Sequence, residues 1–252
     1  MVSDIDFSCV NPATGPVYVR QAVLGSVLEV KIEAIGVRDW GVICTMPGIG
    51  PLTETAAART RIVPVEHGVW ASFSREISIP LRPMIGVIGV APADGAVPCG
   101  QPGDHGGNLD TALIGAGTTV YLPVRVEGAL FALGDLHASM GDGEICGTGI
   151  ETAGYVDVWL NVRRGSIVRP VVETAEAWHC LASDPDLLVA VRKCTGDMQR
   201  LLVDKWQLDP TDAYQLMSVA GDLQISQACK PSPFDVVARF RMPKLGGRPP
   251  LI

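Results

Sequence analysis

Turn-forming residues interrupt this chain before any apolar run grows long. Its 252 residues include 28 glycines and 19 prolines, above the usual shares of about 7% and about 5%. Glycine enters left-handed conformations without a Cβ penalty, and proline presets φ, so their clusters mark turns. They follow no G-X-Y period, which excludes a collagen-like chain. A chain cut up in this way folds into many short strands joined by turns. The expected class is α+β and β-dominated: a sandwich- or barrel-like β core, with a few helices mainly in the C-terminal half.

The apolar pattern places several elements. Strands are predicted at residues 17–19, 27–32 and 77–79, where β-branched side chains partly alternate with polar ones. Residues 84–90 are continuously apolar and predict a strand buried on both faces. Residues 118–126 and 129–133 flank Glu127-Gly128, the spacing of a β-hairpin. Residues 156–162 and 166–172 flank Arg163-Arg164-Gly165 and predict a second strand pair. A helix capped by Ser183 or Asp184, with Pro185 in its first turn, extends to about Leu208. A second helix starts at Asp209-Pro210-Thr211 and stops at Gly221. Strands at 223–228 and 236–242 follow, the latter alternating Val236, Ala238, Phe240 and Met242 with Val237, Arg239 and Arg241. Arg239, Arg241, Lys244 and Arg248 read as a solvated basic face. Residues 1–252 form one expected domain, with a soft subdivision near 173–184.

Charge and hydropathy narrow the functional classes. A net charge of −7 and a pI near 5.1 repel phosphate backbones, so nucleic acid is not an expected partner. No window approaches the roughly 18 apolar residues of a membrane span. Residues 1–6 carry two acids and no basic n-region, unlike a signal peptide. The seven cysteines are scattered, odd in number and never spaced C-x-x-C, against a disulfide framework or a Cys-based zinc site. They read as reduced, mostly buried thiols of a cytoplasmic protein.

Chemistry concentrates in two polar, glycine-rich segments. One is Pro102-Gly103-Asp104-His105-Gly106-Gly107-Asn108-Leu109-Asp110; the other runs from Gly134-Asp135-Leu136-His137 to Gly141-Asp142-Gly143-Glu144. Asp135 and His137 are two apart and share a face if the chain is extended. His105 and Asp110 converge if Gly106-Gly107 folds tightly. Glu144 lies in a turn that can set a carboxylate beside a water. These residues suit a mononuclear metal site with mixed His/Asp ligands, for which zinc is the favoured ion. Calcium also takes Asp-Gly-rich loops, although no EF-hand register is present. The competing reading is that the polar residues only satisfy turns and strand ends. His179 reads as structural, and Cys146 as packing rather than as a nucleophile.

The two segments resemble the acetamidase/formamidase family of metal-dependent amidohydrolases. The resemblance rests on His105-Gly106-Gly107-Asn108-Leu109-Asp110 and on Gly134-Asp135-Leu136-His137-Ala138, followed by Gly141-Asp142-Gly143-Glu144-Ile145-Cys146-Gly147-Thr148-Gly149-Ile150-Glu151. Asn11-Pro12-Ala13-Thr14-Gly15-Pro16, Pro47-Gly48-Ile49-Gly50, the 85–92 run, Asp212–Leu216 and Asp222–Gln227 extend it over about residues 10–244. The resemblance implies hydrolysis of a small aliphatic amide to a carboxylate and ammonia, on a β-dominated fold, in a homo-oligomer, with a dimer favoured. It implies metal ligands drawn from His105, Asp110, Asp135 and His137, Glu144 as proton shuttle, and Asn108 orienting substrate or water. Asp142 and Glu151 become supporting or substrate-facing residues. The resemblance also leads one to expect an N-terminal segment of a few dozen residues before T-G-P, where 13 residues precede Thr14 here. Two other readings compete: a non-catalytic binding or assembly protein on the same scaffold, and a hydrolase of a urea- or guanidine-like C–N substrate.

Overall fold

The computed structural model describes Asp6 and residues 9–252. The acidic start read above as lacking a basic n-region otherwise lies outside the described residues. Seventeen strands and two helices follow in chain order. The first nine strands are β1 (Ala13–Val17), β2 (Val27–Val37), β3 (Trp40–Thr45), β4 (Arg59–Glu66), β5 (Trp70–Ser72), β6 (Ser78–Pro80), β7 (Met84–Gly89), β8 (Pro102–Gly103) and β9 (Gly106–Asn108). Then come β10 (Thr119–Pro123), β11 (Phe131–His137), β12 (Glu151–Thr152), β13 (Gly154–Arg163), β14 (Val171–Glu173) and β15 (Ala177–Asp184). The chain ends with α1 (Leu187–Trp206), α2 (Pro210–Ala220), β16 (Asp222–Gln227) and β17 (Val236–Pro243).

The strands form two open antiparallel sheets. One has the order β6-β5-β4-β3-β12-β11-β7-β9-β8, with β1 added against β11; the other has the order β13-β2-β10-β14-β15-β17-β16. The β-dominated class with C-terminal helices is therefore what the chain adopts, as a sandwich rather than a closed barrel. Alternation along the strands of the second sheet builds two cores from one layer. Leu28, Val30 and Ile32 of β2, Val120 and Leu122 of β10, Val172 and Leu181 face the first sheet, meeting Ile85, Ile88, Phe131 and Leu136. Val27, Tyr121, Val171, Cys180 and Ala182 point the other way, onto Cys194, Met198 and Leu202 of α1 and Met217 of α2. A layer covered on both faces needs apolar residues at both parities, which is why β15 is buried along nearly its whole length.

Local signals fixed the helices closely. Asp209 accepts from the Thr211 N–H, Pro210 opens α2 and Gly221 ends it. The α1 cap moves to Asp186, whose side chain accepts from the Leu188 and Val189 N–H groups. Ser183 and Asp184 are unavailable as caps because β15 runs through them; Asp184 pairs instead with Lys193 at 2.8 Å. β7 is buried at every residue, as its apolar run predicts.

Both predicted strand pairs are incorrect. β10 pairs with β2 and β14, whereas β11 pairs with β1, β7 and β12. Glu127-Gly128 thus joins two sheets rather than closing a hairpin. β13 pairs with β2, and β14 with β10 and β15. Short-range spacing gives turn positions but not partners, and burial of both faces selected the distant pairings. β17 does not alternate either; only Arg241 and Pro243 are partly exposed. Arg239 is 3% exposed, so it belongs to the interior and not to a solvated face. The cysteines are free, but only Cys180, Cys194 and Cys229 are buried, fewer than expected.

His179 lies on β15, opposite Arg241 of β17, and is 3% exposed. Burial, helped by Arg239 and Arg241 against the weaker pull of Asp142 and Asp222, lowers its pKa to about 4. The ring is thus neutral in the fold and binds a proton more readily once unfolded. Stability must fall as pH drops from the unfolded value, about 6.5, towards about 4, by about 3 kcal/mol at most. Thermal melts across that window should show this decline flattened in His179→Gln; an unchanged slope would contradict it.

Candidate active site

Four carboxylates and one imidazole crowd together where β11, β12, the end of β9 and the 141–148 loop meet. His137 ends β11 and pairs directly with Glu151 of β12. Asp135 lies on β11 between Gly134, which pairs with Val87, and Leu136, which pairs with Ile85. This puts it across from Gly86 of β7. Asp110 follows β9, and Glu144 sits in the loop that Gly143 and Gly147 turn with φ of 99° and 84°. Asp110, Asp135 and Glu144 have φ of 35°, 56° and 41°. Left-handed backbone is unfavourable for residues with a Cβ and persists only where the surroundings impose it.

Polar contacts tie the groups to one another. The Gln227 side-chain amide donates to Asp110 Oδ2 at 2.6 Å and to Glu144 Oε2 at 2.7 Å. Asn11 donates to Asp135 Oδ2 at 2.9 Å and to Asn108 Oδ1 at 3.2 Å. Glu151 accepts from the Gly149 N–H at 2.9 Å. His137 Nε2 lies 2.9 Å from Glu151 Oε2 and 3.8 Å from Asp135 Oδ1. Even so, neither His137 nitrogen has an aligned hydrogen bond, and Asp110 Oδ1 has none. Asp110 and His137 are each 1% exposed, so these atoms are orphaned in the interior.

Glycines allow this crowding. A Cβ on Gly86 would come within 2.5 Å of Asp135 Oδ2 and 2.6 Å of Asp110 Oδ1. A Cβ on Gly149 would meet the His137 ring at 2.9 Å. The two aspartates therefore converge over a bare stretch of β7 backbone.

Electrostatics follow from the crowding. Two like charges about 4 Å apart repel by about 4 kcal/mol at an effective dielectric near 20. The groups that donate to these carboxylates are amides, and the imidazole stands 2.9 Å from Glu151 without an aligned bond. Either protons or a cation must offset the charge. Without a cation, burial and then Glu144 and Asp135 raise the Asp110 pKa well above the usual carboxylate range. Burial raises Glu144 to about 7, against the opposing pull of His137. Burial lowers the His137 pKa, but Glu151, Asp135 and Asp110 outweigh it and raise it well above the usual imidazole value. Asp110, His137 and Glu144 form one convergent ligand group, and Asp135, His137 and Glu151 another. Orphaned buried atoms, mixed nitrogen and oxygen donors and excess negative charge fit a divalent metal.

Above the cluster opens a cavity of about 1120 Å³, with Asn108, Asp110, Asp135, Glu144 and Gln227 on its floor. Its walls are largely apolar and include Trp40, Val42, Phe131 and Leu133. A polar floor beneath apolar walls is the usual arrangement of a small-molecule site.

The structure brings Asn108, Asp110, Asp135, His137, Glu144 and Glu151 together. It does not bring His105. That residue sits in the turn between β8 and β9, with Nδ1 2.7 Å from where a Gly103 Cβ would stand, and it belongs to neither ligand group. The tight Gly106-Gly107 fold expected above does not form. Gly106 and Gly107 pair with β7 although their φ values are 102° and 82°, and the His105 ring lies back against Gly103 and Gly107 instead of facing Asp110. Asp142 also lies apart from the cluster, holding Arg239 at 2.9 Å through Oδ1. Cys146 points its thiol at the Thr148 carbonyl, 3.6 Å away. Sequence reasoning missed Gln227, Asn11 and Gly86. The first two stand in segments that carry the family resemblance, but an amide has no ligand signature, and a glycine inside an apolar run looks like strand filler.

Antiparallel sheets in a β-sandwich frame this carboxylate–imidazole cluster, and comparison with known proteins shows the family that shares the fold. Residues 93–230, more than half of the chain, match the family model described as the Acetamidase/Formamidase family. The acetamidase structure from Bacillus halodurans is 44% identical and superposes with a TM-score of 0.91, over 96% of this chain and 81% of that one. The acetamidase structure from Yersinia enterocolitica is 29% identical, with a TM-score of 0.86 over 92% and 73%. The chain belongs to the acetamidase/formamidase family. Among curated relatives, the formamidase of Methylophilus methylotrophus is 45% identical over 79 residues, 29% of this chain and 19% of that protein. The acetamidase of Mycolicibacterium smegmatis is 43% identical over 68 residues, 26% and 16% of the two chains. The matched stretches thus span under a fifth of either curated relative.

Gly86→Ala tests the convergence. The added methyl must displace both aspartates, and calorimetric titration with zinc should show affinity reduced about 10- to 100-fold, as when a metal ligand's support is disturbed. Wild-type affinity would show that the close approach over β7 does not matter.

Proposed function

We propose that this chain hydrolyses a small aliphatic amide, of the formamide or acetamide class, to a carboxylate and ammonia. The observation that carries the reading is the pair of convergent groups that share His137, Asp110–His137–Glu144 and Asp135–His137–Glu151, whose four carboxylates line an apolar-walled cavity. Family membership and the names of the relatives agree with it.

Asp110, Asp135 and His137 would hold a divalent metal, for which zinc suits the nitrogen-containing donor set better than calcium. When bound, such an ion supplies Lewis-acid polarisation and a water that ionises near neutral pH. Glu144 takes the proton of the attacking water and returns it to the departing nitrogen. A carboxylate buried beside the attacking position can take and return that proton within hydrogen-bond reach. Gln227 holds the Glu144 and Asp110 carboxylates in register through one amide. Asn108, 2% exposed and held by Asn11, orients the substrate amide. Glu151 sets the His137 ring, with its own carboxylate fixed by the Gly149 N–H. The apolar walls offer a packing surface for the alkyl part of a small amide.

The reading includes a cytoplasmic setting, supported by seven free cysteines. It also includes a homo-oligomer, supported by Tyr155 and Trp159, exposed on the edge strand β13. No helix among the described residues is long and apolar enough to cross a membrane.

Ammonia release from formamide and acetamide, measured beside bound metal, tests the reading. His137→Ala should lose both metal and turnover. Glu144→Gln should retain the metal and lose turnover about 100- to 10,000-fold, the usual worth of an acid–base group. Loss of metal in Glu144→Gln would make Glu144 a ligand, and metal-free wild-type protein without turnover would overturn the proposal.

A further inference from the structure

Arg239 lies outside the carboxylate cluster, yet it reaches three of the segments that carry it. It is 3% exposed and projects from β17, where it pairs in register with Gln224 of β16 and Leu181 of β15. Nε donates to Gln224 Oε1 at 2.9 Å. The two N–H groups of Nη1 are shared among Ser226 Oγ at 2.9 Å, Asp142 Oδ1 at 2.9 Å and Thr111 Oγ1 at 3.2 Å. Nη2 donates to Asp142 Oδ2 at 2.5 Å.

Each of three partners is a close chain neighbour of a cluster residue. Thr111 follows Asp110, Ser226 precedes Gln227, and Asp142 is two residues before Glu144. These are the residues that the Gln227 amide joins. The backbone continues the same tie: the Gly143 N–H donates to the Ser226 carbonyl at 2.7 Å, and the Ala228 N–H to the Gly143 carbonyl at 2.9 Å. The 141–148 loop is thereby fastened to the end of β16, and the guanidinium fork fixes its distance from Thr111.

We propose that Arg239 is the positioning residue of this site: one buried guanidinium sets the relative placement of Asp110, Glu144 and Gln227 by gripping Thr111, Asp142 and Ser226. The proposal rests on the amidase reading only for its catalytic consequence. The planar fork with five donors matters, because a lysine ammonium cannot meet a bidentate carboxylate and two hydroxyls in one plane. Arg239 does not line the cavity, so it acts through the loop and not on substrate. A carboxylate displaced by about 1 Å can cost about 100-fold in rate without weakening substrate binding equally.

Two variants and two readouts decide it. Arg239→Lys keeps a cation in the interior. Asp142→Asn alters a side chain that is 40% exposed and removes the bidentate carboxylate, while its amide oxygen still accepts from the buried guanidinium. Both should lower kcat for amide hydrolysis about 10- to 100-fold while KM changes less than about threefold. Hydrogen exchange should quicken in the 141–147 segment and remain at wild-type rates in α1. Lysine should fail to restore kcat, since charge alone does not reproduce the fork. Wild-type kcat and wild-type exchange in both variants would overturn the proposal. So would exchange that quickens throughout the chain in step with lost activity, because that is the signature of a general structural role. Absence of turnover in the wild-type chain would instead overturn the amidase reading, and exchange in 141–147 would still decide whether Arg239 holds the loop.

Discussion

Like-charge crowding around His137 is the constraint on which the site depends. Asp110, Asp135, Glu144 and Glu151 converge on one imidazole in two groups that share it. Carboxylates in such an arrangement either keep protons or accept a cation. The fold tolerates neither a bulky neighbour nor a relaxed backbone there. Gly86 and Gly149 leave room for the side chains, and three of the acids are held in left-handed conformation. Strain of that kind is maintained by surroundings that have no alternative arrangement. The two-sided burial of β15 and β17, the β7 strand and the Gln227 amide supply those surroundings.

The layering explains how a chain of short strands sustains such a site. The seven-stranded sheet packs on helices with one face and on the first sheet with the other. Its interior position makes β17 a rigid base, and Arg239 extends from that base towards the loop that carries Glu144. On the far side, Gly86 of β7 leaves room for Asp135 of β11 and for Asp110, while Ile85 and Ile88 pack in the core. Site residues come from elements distant in sequence: Asn11, Asp110, His137 and Gln227 meet only because β1, β7, β11 and β16 are ordered in space as they are.

Much of the candidate site is legible in the order of residues along the chain. Asp110, Asp135, His137 and Glu144 lie in glycine-rich polar segments at the ends of apolar runs, where strand ends deliver side chains to a site. His105 looks equal to His137 by the same signal, and it is not. The difference lies in where the ring is directed: His105 lies against Gly103 and Gly107, a placement that pairing of β9 with β7 fixes. Gln227 and Arg239 show the complementary failure. Neither an amide at a strand end nor an arginine in a charged-looking strand signals proximity to carboxylates more than eighty residues away.

By itself, the sequence determined what local chemistry can determine. Glycine and proline imposed short strands and turns, Asp209-Pro210 and Gly221 bounded α2, and the apolar 84–90 run required burial on both faces. The two motif segments also identified most of the residues that converge, and the family that carries them. Only the tertiary structure decided which strands pair, because pairing is chosen by burial across the whole layer and not by the spacing of neighbours. It alone replaced the two expected hairpins, excluded His105, buried Arg239, and brought Asn11 and Gln227 to the cluster. The reason is common to all of these: a side chain's direction is fixed by strand register, and register is settled by contacts that lie far away along the chain.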